Sequence, residues 1–132
     1  MRHHTVIEWE ARLDEAMREL DSFLEERYEG KYTLHPARLA KGKAANPVQD
    51  GLFGVTASFS LGLGSTIGKG YIVDIKMMTL QHVDEDVREE IEAFALARLA
   101  ELLPKYFPET ELNVTRDGTV IKIFGDLSLG KA

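Results

Sequence analysis

Chemistry concentrates in one stretch of this chain, SLGLGSTIGKGY, which runs from Ser60 to Tyr71. Gly62, Gly64, Gly68 and Gly70 stand there with Ser65, Thr66 and Lys69. Main-chain amides freed by glycine can form a concave nest for an anion, and a lysine can neutralise it. A nucleotide-binding loop of the G-x-x-x-x-G-K-[ST] kind is excluded. Leu63 stands where its first glycine belongs, and Gly70 takes the hydroxyl position. The residues from Tyr71 onward alternate as a strand, so no helix N-terminus faces a phosphate. The spacing G-x-G-x-x-x-G is also one residue longer than the glycine flap of protein kinases. Three readings remain: a wide hairpin turn, an anion nest, or a mobile loop. Glycines cost about 0.5–1 kcal/mol each relative to alanine when ordered, so four together need a reason.

A second cationic group lies upstream, in the excursion 31–51, where Arg38, Lys41 and Lys43 follow Lys31 among two prolines and two glycines. With the loop residues Gly62, Gly64, Ser65, Thr66, Gly68 and Lys69, these three cations make the candidate anion site. A small enzyme on a phosphorylated or carboxylated metabolite would use Lys69 as charge clamp and Asp74 or His82 as acid–base. His82 stands near Asp84, Glu85 and Asp86, but those acids read more naturally as the start of a helix than as metal ligands. No metal and no cofactor is expected. Nucleophilic catalysis finds no support: there is no cysteine, no G-x-S-x-G elbow, and no serine–histidine pairing that stands out.

The 132 residues suit one domain with a single core, 1–132, and 44% apolar with 29% charged side chains is ordinary for a globular protein. No apolar run reaches the roughly 18 residues that span a bilayer. The N-terminus turns acidic and amphipathic at once, so a cytoplasmic location is expected, with no membrane partner. Net charge is −6 and uneven: residues 1–30 carry −5, residues 31–82 carry +4, and residues 83–132 carry −5. The basic middle third either faces an anion or sits between helices made soluble by glutamate. Nucleic acid is disfavoured by the acidic whole, and by an open sheet face on which Phe124 is the only aromatic for stacking.

Periodicity supplies the frame. Thr5 and Glu8 have capping-box spacing, and Trp9, Leu13, Ala16, Met17, Leu20, Phe23, Leu24 and Tyr28 then recur at helical intervals up to Gly30. In the excursion, Tyr32–Leu34 could form a short strand and Pro36 could open one helical turn. Residues 52–61 and 71–80 alternate with period two and read as strands. Asp84 starts a second helix, whose stripe Val87, Ile91, Phe94, Ala95, Leu99, Leu102 and Leu103 runs to Pro104. Asp117-Gly118 then signals a hairpin, with 114 expected opposite 121 and 112 opposite 123.

The order α-β-β-α-β-β predicts a two-layer α+β sandwich: two helices on one face of a four-stranded, mainly antiparallel sheet. Parity puts Phe53, Val55, Phe59, Tyr71, Val73, Ile75, Leu112, Val114, Ile121 and Ile123 inside. Ile72, Met78, Val120 and Phe124 then form an apolar patch on the outer face, which a second copy would cover in a homodimer. The leading functional reading is a small non-enzymatic binding or protein-interaction module with an anion-binding glycine loop. The alternative is the small enzyme.

Overall fold

The computed structural model describes residues 4–45, 49–61, 69–117 and 120–125. Helix α1 (His4–Tyr28) is followed by strands β1 (Phe53–Ser60) and β2 (Gly70–Met77). Helix α2 (Glu85–Tyr106) precedes β3 (Leu112–Asp117) and β4 (Val120–Gly125). The sheet order is β1-β2-β4-β3, and all three pairings are antiparallel. This is the α+β sandwich expected from the patterning. The α1 stripe buries Trp9, Leu13, Leu20 and Leu24 against Phe53, Val55, Tyr71 and Val73. Ile91, Ala95, Leu99, Leu102 and Leu103 of α2 close the same core. Gly30 takes a φ of 76° just past α1, the left-handed conformation that a helix-ending glycine supplies.

Two helix-end expectations are corrected. Asp84 occupies the N-cap position, but its side chain makes no capping bond and instead meets His82 Nε2 at 3.2 Å. The helix also runs through Pro104 to Tyr106. Proline removes one amide, but the final turn is anchored from outside. Phe107 is buried against Trp9 with ring centroids 4.5 Å apart, and the Tyr106 hydroxyl donates to Glu19 at 2.8 Å. The Thr5 side chain lies outside the described residues.

The β3–β4 register differs from the expected one by two residues. Val114 faces Ile123, Arg116 faces Ile121, and Asp117 pairs with Val120. A slip of two keeps every side chain on its face, so the inner set survives where a slip of one would have inverted it. Gly118 lies outside the described residues. Phe59 departs from its expected burial, at 49% exposed, because α1 covers Val55 fully but leaves this end of β1 open. On the outer face, Ile72, Met78, Val120 and Phe124 are half-buried, and Lys122 among them is only 2% exposed.

The excursion forms neither the expected strand nor the helical turn. Arg38 N donates to His35 O and Ala37 N to His35 Nδ1, which makes a tight turn. Leu39 bridges Asp50 in parallel. His35 N donates to Met78 O, and Thr79 Oγ1 donates to Thr33 O, so the segment is tied to the end of β2.

Candidate functional site

The structure does not gather the cations of the candidate anion site. Gly62, Gly64, Ser65, Thr66 and Gly68 lie outside the described residues. Lys69 is exposed at the Ser60–Gly70 end of the β1–β2 ladder, whereas the excursion joins its Phe53–Met77 end. Eight paired residues at about 3.4 Å each separate the two ends by roughly 24 Å. Arg38 is turned inward, where its guanidinium donates to the carbonyls of Asp50, Gly51 and Phe53 at 3.0–3.2 Å. Lys41 Nζ lies 2.9 Å from Asp21 and 3.9 Å from Asp50, and Lys43 is exposed.

The excursion is therefore a folded cover, held by acids. Asp50 is 1% exposed, and its Oδ2 accepts the amides of Gly42 and Ala44 at 2.9 and 3.1 Å. Glu25 accepts the amides of Leu52 and Phe53 at 3.1 and 2.8 Å. Burial pushes the Asp21 carboxyl above its ordinary range, while the Lys41 hydrogen bond pulls it back. Two of the six cations between residues 31 and 82, Arg38 and Lys41, are spent on internal carboxylates and carbonyls. Charge counting cannot see that difference, because it depends on which acids fold next to which bases.

The enzyme constellation is also dispersed. His82 is exposed and faces Asp84, Asp74 meets Lys76 at 3.7 Å, and Lys69 stands at the far end of β2. Among the described residues, no group of three or more histidines and acids could hold a metal ion.

What the fold does build is a cleft of about 270 Å³ where the two layers gape. Among the described residues, strand β2 pairs with β4 from Tyr71 to Val73, and its run from Asp74 to Met77 has no strand partner on that side. The opening lies between this free run, the first turns of α2 and the start of β4. Val73, Ile75, Ile91 and Ile121 line its apolar wall. Charges of both signs ring the mouth: Asp74, Glu85 and Glu92 against Arg88 and Arg116. Arg116 pairs with Glu92 at 3.3 Å. The Arg88 guanidinium has no side-chain partner among the described residues.

A second depression of about 450 Å³, at Arg27, Tyr28, Lys31, Glu90 and Phe94, is larger, but its groups are already engaged. Arg27 lies 3.7 Å from the Phe94 ring centroid, and Tyr28 donates to Glu90 at 2.6 Å. That hydrogen bond and burial both push the phenol pKa up, burial most.

Arg88, Glu92 and Arg116 were hidden from sequence reasoning because each reads as part of a solvated helix or hairpin surface. One signal was present. The run 71–80 alternates for longer than the segments around Asp117-Gly118, so one strand must outlast its neighbour.

A family model described as "Uncharacterised protein" matches residues 4–125. An uncharacterised protein of Borreliella burgdorferi is 39% identical over 107 residues, covering 81% of this chain and 84% of its own length. No solved structure matches. Among the described residues, no helix is long and apolar enough to cross a membrane. Since the match spans residues 4–125 of 132, the chain belongs to this family of uncharacterised proteins.

Proposed function

We propose that this protein is a cytoplasmic, non-enzymatic recognition domain that anchors an apolar side chain of a protein partner in the cleft beside β2. The carrying observation is the size and lining of that cleft. At about 270 Å³ it falls below the roughly 300–1,000 Å³ typical of small-molecule and cofactor sites. It suits one large side chain. An apolar wall with a rim of both charge signs fits a polypeptide whose anchor is flanked by charged residues, rather than a simple anion. Among the described residues the run Asp74–Met77 has no strand partner on the β4 side, and its main-chain donors and acceptors suit an extended segment aligned along it. The wide separation of Lys69 from Asp74 and His82 supports binding over the metabolite enzyme.

The test is selection from a random peptide display library, followed by fluorescence anisotropy of the selected peptides. Val120 stands at the start of β4 and lines the edge of the cleft, so Val120→Trp would fill it from there, and Arg88→Glu would invert one rim charge. Binding should weaken at least about tenfold in the first variant, since buried anchors dominate such interfaces. Unchanged affinity in both variants sinks the proposal, and so does a library that yields no binder.

A further inference from the structure

Strand β1 is an edge strand, and its outward main-chain groups can be identified. Met78 N donates to Leu52 O, so the carbonyl of residue 52 faces β2. The Phe53 amide and carbonyl face away, where Glu25 and Arg38 take them. Alternation then turns the N–H and C=O of Val55, Ala57 and Phe59 outward as well. No hydrogen bond among the described residues reaches those outward groups. Edge strands are normally blunted by charge, proline or a bulge. The β1 sequence, FGVTASFS, has no charge and no proline, and it pairs with β2 without interruption over all eight residues.

The exposed apolar side chains follow the same edge. Five large hydrophobic residues are exposed among the described ones: Ile7, Leu39, Phe59, Leu61 and Leu80. Phe59 packs edge-on against Tyr71, which stacks on Trp9, two residues along α1 from Ile7, so Phe59, Leu61 and Ile7 share one end of β1. Leu39 lies at the other end, where its carbonyl accepts the Gly51 amide. Only Leu80 falls outside this arrangement.

We propose that β1 pairs antiparallel with β1 of a second copy about a twofold axis at Ala57, giving one continuous eight-stranded sheet. The strand is self-complementary in that register. Outward groups at 55, 57 and 59 meet those at 59, 57 and 55 of the second copy, making six main-chain hydrogen bonds. Alanine, the smallest side chain available, meets itself on the axis. Val55 faces Phe59 of the second copy, and Thr56 faces Ser58, a favourable cross-strand class. Leu61 of one copy comes beside Leu39 of the other. Above the axis, helical geometry places Asp14 and Arg18 on the β1 side of α1. Pairing stops at residue 53, whose groups Glu25 and Arg38 already occupy, so the excursion acts as the end-stop that sets the register.

Multi-angle light scattering at 100 μM, with hydrogen exchange as a second readout, tests this. The unmodified chain should weigh twice 14.8 kDa. The amides of Val55, Ala57 and Phe59 should lose protection on dilution. Ala57→Pro removes the central outward N–H at an edge position that tolerates proline. Thr56→Lys adds charge on the exposed outer face. Both should give a folded 14.8 kDa monomer by circular dichroism and light scattering. Phe124→Glu, on the outer sheet face, should leave the dimer intact. The proposal is overturned by a monomeric unmodified chain, by a dimer that survives Ala57→Pro and Thr56→Lys, or by a dimer that Phe124→Glu dissociates instead.

Discussion

Replacing Lys41 with methionine removes the ammonium from between two buried carboxylates and keeps most of the side-chain volume. Asp21 and Asp50 are 2% and 1% exposed, and Lys41 Nζ stands 2.9 and 3.9 Å from them. Breaking a buried pair by removing one partner costs about 3–5 kcal/mol, because the remaining charge is left uncompensated. The Lys41 side chain is 36% exposed, so water already screens part of the attraction. We therefore expect a loss of about 2 kcal/mol at pH 7, which for a chain of this size lowers Tm by about 6 °C.

The pH dependence carries the sharper test. Burial raises the folded-state pKa of Asp21 above 3.8, so protonating it favours the folded state. That contribution is fully present below 3.8 and is lost as pH rises through the folded pKa. Removing Lys41 deletes the hydrogen bond that lowers this pKa, and so widens the window. The destabilisation should be largest near pH 7 and shrink as pH falls toward 4. Urea melts of both proteins across this range measure it. Hydrogen exchange at Gly42 and Ala44, whose amides donate to Asp50, should show the cover loosening first. A loss that is independent of pH, or smaller than about 0.5 kcal/mol, would refute the picture of a cation-compensated acid cluster.

Three further outcomes follow from the same contacts. Glu19 receives Lys105 Nζ and the Tyr106 hydroxyl at 2.8 Å and Arg98 at 3.0 Å, which together hold its pKa below 4.5, the Lys105 hydrogen bond most. Its stabilisation is present above pH 4.5 and is lost as pH falls through the folded pKa. Glu19→Gln should therefore flatten the acid limb of the stability profile and cost about 1 kcal/mol at pH 7, measured by denaturant melts. Phe53→Ala empties a fully buried site, edge-on to Tyr28, and should cost about 3–5 kcal/mol by the same assay. Gly70→Ala would drive a methyl group into the Ile123 carbonyl, so β2 must part from β4. A lowered Tm and faster exchange at Tyr71 and Ile123 should report it, and a melt like that of the unmodified protein would contradict the close strand approach.

Local patterning was enough to specify both helices, all four strands and the faces they bury, because periods of 3.6 and 2 decide which side chains can share a core. It even survived a wrong register: 112, 114, 121 and 123 stay inside under a two-residue slip, since parity depends only on whether the shift is even. Other features had no local signature. Arg38 and Lys41 are cations in any reading of the chain, but their partners, the Asp21 and Asp50 carboxylates and the carbonyls of Asp50, Gly51 and Phe53, are brought to them by folding. Arg88, Glu92 and Arg116 become one cleft mouth only because the first turns of α2 pass beside the Asp74–Met77 run of β2 and the β3–β4 pair. The free edge of β1 likewise follows from strand order, since the same alternation would describe a central strand. Sequence periodicity records which face of an element is apolar. Only packing decides which element lies beside it, and the candidate site is made of those adjacencies.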